Sequence, residues 1–107
     1  MAWLGGTPEL RARIAETLKT IYDPEIPVNI YELGLVYTVE IHDGGFVEIT
    51  MTLTAPGCPV AGPLVQEVEQ KVLQVEGVSA AKAELTWDPP WSMDRMTEVA
   101  RLQLGFM

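Results

Sequence analysis

Two alternating stretches on either side of His42-Asp43-Gly44-Gly45 constrain this chain more than any other feature. In residues 35–41, Leu35, Tyr37, Val39 and Ile41 share one side. In residues 46–54, Val47, Ile49, Met51 and Leu53 share one side, with Glu48, Thr50, Thr52 and Thr54 opposite. Strand side chains alternate with period two, so each stretch reads as a strand with one face in a core. The short Gly-rich connection makes them a hairpin. His42, at its tip beside Asp43, reads as exposed and inert.

The hairpin needs a cover, and the flanking sequence supplies it. Thr7 is placed to cap a helix starting at Pro8, with Glu9 in its first turn and Leu10, Ile14, Leu18 and Ile21 along one face. The prolines of Asp23-Pro24-Glu25-Ile26-Pro27 stop that helix. Residues 28–34 read as an ordered loop with one helical turn. Residues 63–74 carry Leu64, Val65, Val68, Val72 and Leu73 on a helical stripe that ends at Glu76-Gly77. Residues 78–87 form a third strand with Ala81, Ala83, Leu85 and Trp87 on one face. Asp88-Pro89-Pro90-Trp91 breaks it, and Ser92 or Thr97 caps a last helix ending near Gly105. The expectation is a compact two-layer α+β domain spanning 1–107, of order α-β-β-α-β-α. A small mixed sheet has helices packed on one face, and residues 1–6 are frayed.

Composition narrows the function classes. Hydrophobic residues make up 48% and charged residues 21% of the 107, values of an ordinary soluble globular chain. The net charge of −8 repels phosphate backbones and anionic bilayers, so no nucleic acid and no membrane is expected as a partner. No apolar run approaches the roughly 20 residues of a membrane span. Residues 1–6 lack the basic start and apolar core of a signal peptide, so the default location is cytoplasmic.

The only cysteine, Cys58, follows the turn at Pro56-Gly57 and approaches the helix of residues 63–74. Backbone N–H groups and the positive end of a helix dipole there favour the thiolate, which is both nucleophile and metal ligand. The plain alternative is a small buried hydrophobe. One Cys excludes an intrachain disulfide, and with His42 as the only histidine a metal site within one chain must lean on carboxylates. Other segments exceed what folding requires: Asp23-Pro24-Glu25, Thr52 with Thr54, Asp88-Pro89-Pro90-Trp91, and Asp94-Arg95-Met96. Each also has a bland reading, as helix stop, exposed strand face, loop or solvated helix start. Trp87 reads as core, whereas Trp91 follows two prolines in a loop that need not bury it.

Residues 23–30 with Leu33-Gly34-Leu35-Val36-Tyr37, then Thr52-Leu53-Thr54 and Gly57-Cys58-Pro59, then residues 87–91 with Asp94-Arg95-Met96, together resemble the SufT/PaaD-like family of metal–sulfur cluster assembly proteins. The resemblance runs over about residues 8–105, and its motifs fall in the family's order. It implies an accessory factor in iron–sulfur cluster maturation rather than a turnover enzyme. By it Cys58 would be the functional thiol, with Asp23, Glu25 and Thr54 lining the same site; the residues themselves add Thr52 to that lining, and Asp88, Pro90 and Trp91 as a stiff surface for partner contact. Some relatives specialised for ring-oxygenase maturation carry a cysteine-rich extension; its lack after Met107 points to the general assembly branch.

Carboxylates near Cys58 would raise its pKa against the helix dipole, and a cation held by Cys58 with Asp23 or Glu25 would resolve that conflict. A single thiol cannot hold a cluster alone. The expectation is therefore no stably bound cofactor in one chain, but a transient iron or iron–sulfur cluster shared across a homodimer or with a partner. The partners implied are the iron–sulfur assembly machinery and client apo-proteins. Two alternatives stand beside this reading: a small cysteine-dependent enzyme with Cys58 as nucleophile, and a structural adaptor with a buried cysteine.

Overall fold

The computed structural model describes residues 1–54 and 61–105. Its first element corrects the sequence reading. The N-terminal residues expected to fray form an edge strand, β1 (Ala2–Gly5). β1 pairs in parallel with β2 (Val36–Ile41), placing Trp3 beside Val39 and Gly5 beside Ile41. Trp3 is half-buried against the core and anchors the strand. At Gly5 a Cβ would stand 2.1 Å from the Ile41 carbonyl oxygen, and φ is +76°, so only glycine passes there.

The next elements follow the sequence closely, although the first helix ends at Leu18, before Ile21 and the prolines expected to stop it. α1 (Pro8–Leu18) is capped by Thr7, whose Oγ1 accepts the Leu10 N–H at 3.2 Å. Ile14, Leu18 and Ile21 are fully buried. The helical turn expected within residues 28–34 is α2 (Ile30–Leu33); Asn29 Oδ1 accepts from the Glu32 N–H at 2.9 Å, and left-handed Gly34 ends it. The hairpin is β2, a short 3-10 turn at Asp43–Gly45, and β3 (Phe46–Met51). A crossover helix, α3 (Ala61–Leu73), leads to β4 (Ala80–Leu85). A second 3-10 turn, Met93–Arg95, precedes α4 (Glu98–Gln103); of the two expected caps Thr97 serves, its Oγ1 accepting from the Ala100 N–H.

The sheet order is β1-β2-β3-β4, antiparallel in the middle and parallel at both edges, which is the mixed α+β sheet expected. The rows Trp3–Val39–Ile49–Ala83, Ile41–Val47–Ala81 and Met51–Leu85 face the core that α1 and α3 cover. Each fully buried aliphatic side chain there contributes about 1.5–3 kcal/mol of transfer free energy. The edge at β4 is closed by α3: Glu69 Oε2 accepts the Ala83 N–H at 2.8 Å.

Three side chains depart from simple alternation. The β2–β3 register slips between Val36 and Thr38, so Tyr37 is the extra residue of a bulge and leaves the core, while Val36 enters it at 2% exposure. β4 stops at Leu85, and Trp87 beyond it is 43% exposed rather than a core residue. Thr52, expected on the polar face, is fully buried one residue past the end of β3. There the sheet end is bounded by two backbone bonds, Thr52 N–H to the Leu35 carbonyl and Thr86 N–H to the Met51 carbonyl, each 2.8 Å.

Candidate functional site

The segment between α1 and α2 doubles back on itself. Tyr22 bridges to Asn29, the Asp23 N–H donates to Val28 O at 3.2 Å, and the Ile30 N–H donates to Ile21 O at 2.8 Å. Asp23 closes this loop from inside. Its Oδ2 accepts the N–H groups of Glu25 at 2.9 Å and Ile26 at 2.7 Å, and the residue is 6% exposed. The prolines on either side of Glu25 remove competing donors and fix the turn. The chain of backbone bonds continues from Ile30 O to Leu35 N–H and from Leu35 O to Thr52 N–H. The Asp23 loop is thereby tied to the end of β3.

At that end Thr52 Oγ1 is buried with no hydrogen-bond partner among the described residues, and Thr54 beyond it is half-buried. A buried hydroxyl without a partner costs about 1–3 kcal/mol, so it marks a place where a polar group belongs. Tyr22, Pro24, Pro63, Leu64 and Glu67 line one groove, which sets the Asp23 loop against the first turns of α3. Cys58, and with it the expected ligand role of Cys58 with Asp23 or Glu25, lies outside the described residues. Both flanks of its segment, Thr54 and the start of α3, are at the Asp23 end of the sheet.

Glu25, whose N–H is held by Asp23, also borders a second groove. It is exposed, and with Ile26, Pro27, Trp91, Met93, Met96 and Leu104 it lines a mostly apolar groove. Trp91 is half-buried in that wall, and its Nε1–H donates to the Leu33 carbonyl at 2.7 Å. Asp88 and Pro90 are exposed on the same loop. The loop has a second anchor that sequence reading missed: the Tyr37 hydroxyl donates to Pro89 O at 2.7 Å, and the Arg95 guanidinium lies 4.5 Å from the Tyr37 ring centroid. The bulge that expels Tyr37 from the core is what makes this anchor. Alternation alone carries no sign of it.

The structure thus divides the sequence-derived candidates into two groups. Asp23, Thr52 and Thr54 gather at the sheet end. Glu25 joins Trp91 in the neighbouring groove, with Met93 and Met96 as wall residues that sequence reading left out. His42 stands apart from both, at the other end of β3, about 17–20 Å away for a strand of this length. It is exposed, as expected, but not idle, since its Nε2 lies 2.7 Å from Glu48 Oε1. Among the described residues no helix is long and apolar enough to cross a membrane.

Comparison with known proteins places this arrangement. A Porphyromonas gingivalis protein named Fe-S protein maturation auxiliary factor is 52% identical over 88% of this chain and 90% of its own length. The Staphylococcus aureus Fe-S protein maturation auxiliary factor SufT is 34% identical over 79% of this chain and 97% of its own length. A crystal structure of a domain of unknown function, DUF59, from Bacillus anthracis superposes with a TM-score of 0.83 at 39% identity, covering 92% of this chain and 94% of that one. The family described as iron-sulfur cluster assembly protein matches residues 11–85. The chain belongs to that family.

Proposed function

We propose that this protein is an accessory factor in iron–sulfur cluster maturation that works through partner contact and one functional thiol, Cys58, and not through catalytic turnover. The observation that carries this reading is the convergence at one sheet end of the Asp23 loop, the buried Thr52 hydroxyl, which has no partner among the described residues, and both flanks of the Cys58 segment. A thiolate or sulfur-bearing cargo arriving there would meet a hydroxyl donor and, nearby, a carboxylate held by its own loop. Iron or a cluster fragment is cargo in this scheme. A single thiolate with carboxylates ligates it incompletely, which favours release to a client, and full ligation needs thiolates from a second copy or a partner.

The Glu25–Trp91 groove, beside this end, serves partner docking. Methionine and tryptophan walls adapt to varied apolar side chains, as a factor serving several clients requires. The site lacks a histidine base, because His42 lies a strand's length away, which is why a thiol hydrolase or transferase is the weaker reading. The setting is cytoplasmic, with the assembly machinery and apo-clients as partners.

The test is complementation of a deletion strain with wild type or Cys58→Ser at matched expression, reading the activity of cluster-dependent dehydratases. Rescue by wild type alone is expected. Equal rescue by Cys58→Ser, with the variant folded, would remove the thiol from the mechanism.

A further inference from the structure

The sheet face turned away from α1 and α3 holds a cluster that the maturation reading does not use. Glu40 on β2 and Glu48 on β3 are direct cross-strand partners, so the pairing register sets two carboxylates opposite each other. Like charges in that position repel. Between them stands His42, its Nε2 2.7 Å from Glu48 Oε1 and 3.6 Å from Glu40 Oε2. The ring is stacked on Phe46, with centroids 5.5 Å apart and planes at 24°.

The turn beneath it is fixed by backbone bonds. His42 N–H donates to Phe46 O, Gly45 N–H to His42 O, and Ser79 N–H from the α3–β4 connection to Gly45 O. The neighbouring cation makes no ion pair with either carboxylate. Lys82 lies opposite Glu48 on β4, but its ammonium bonds Glu84 at 3.0 Å.

One imidazole nitrogen and two carboxylate oxygens, all within 4.8 Å of one another, face open solvent. Carboxylates alone would be served by water and loosely held monovalent ions. The imidazole changes the preference, because nitrogen with carboxylate oxygen suits Zn(II) and its first-row neighbours better than Ca(II) or Mg(II), which take oxygen donors. We infer that Glu40, His42 and Glu48 form a binding site for a divalent first-row transition-metal ion, with water completing its coordination. The ion takes the place of the hydrogen between Nε2 and Glu48 and relieves the Glu40–Glu48 opposition. All three donors come from one hairpin, so the site forms with the fold and is independent of the Cys58 segment.

The test is calorimetric titration of Zn(II) into the full chain whose thiol has been removed by Cys58→Ser or, in wild type, blocked by alkylation. One ion per chain is expected, with binding at least tenfold weaker in His42→Ala and in Glu48→Gln. Paramagnetic broadening by Co(II) should centre on the amides of residues 38–50 and spare residues 23–34. Absence of binding after thiol removal, affinity unchanged by both substitutions, or broadening centred elsewhere would each overturn the assignment. Circular dichroism checks that the variants fold, and Glu40→Gln, with the same expected weakening, replaces one that does not. A His42 that only neutralises its neighbours would leave stability sensitive to His42→Ala but give no zinc binding, which also counts against the site.

Discussion

Asp23 shows how one side chain can look like a metal ligand in sequence and hold a loop in three dimensions. Its Oδ2 takes two backbone N–H groups in a nearly buried setting, so removing the acceptor strands both donors. Asp23→Ala should lower stability by about 1–3 kcal/mol. Asp23→Asn keeps an oxygen for both bonds and should lose clearly less. Urea midpoints of the two variants check this, and equal losses would mean that the negative charge, and not the acceptor, holds the loop. Trp91 has a similar double reading. Its N–H is satisfied by Leu33 O, so Trp91→Phe should cost about 0.5–1.5 kcal/mol while preserving most of the groove wall. A loss of partner binding in that variant beyond its loss of stability would assign the indole a direct contact.

At the scale of elements, the parts with long periodic patterns were legible and the short or irregular ones were not. The hairpin, α1, α3 and the strand after it follow from alternation, helical stripes and caps. β1 did not, because four residues cannot display a period and its stability depends on a partner strand distant in sequence. Hydrogen exchange should find the β1 amides that bond to β2 protected well above those of a frayed end. Exchange at unstructured rates would return residues 1–6 to the sequence expectation. The junction of α2 with β2 depends on Gly34, where φ is +77° and a Cβ would stand 2.4 Å from Arg95 O. Gly34→Ala should therefore cost more than the roughly 1 kcal/mol of a left-handed alanine, and it should loosen the contact between α2 and the Met93–Arg95 turn. A thermal melt gives the first part, and the chemical shifts of residues 93–97 give the second.

Across the whole molecule the candidate residues collect at the two ends of the sheet. The Thr52 end gathers the maturation candidates, and the hairpin tip carries the Glu40–His42–Glu48 cluster. If cargo is shared between thiols of two copies, anaerobic loading with iron and sulfide should double the apparent mass in light scattering. Cys58→Ser should remain a monomer under the same treatment. A loaded wild type that stays monomeric would place the second set of ligands on a different protein. The Cα radius of gyration, 13.3 Å, is close to the about 13 Å of one packed chain this long and sets the baseline for that comparison.

The mixed α+β architecture, the Thr7 cap, the turn at His42–Gly45 and the family are legible in the sequence. All of these rest on residue types acting locally or on motifs read in order. It took the packed chain to show that Tyr37 leaves the core to hold Pro89, that Glu25, its N–H on Asp23, lines the Trp91 groove, and that Thr52 is buried without a partner among the described residues. Each depends on one register slip, one loop closure or one strand end meeting backbone from distant segments. Those are long-range choices, made by how the hydrophobic faces and backbone bonds are satisfied together, and no local pattern records them.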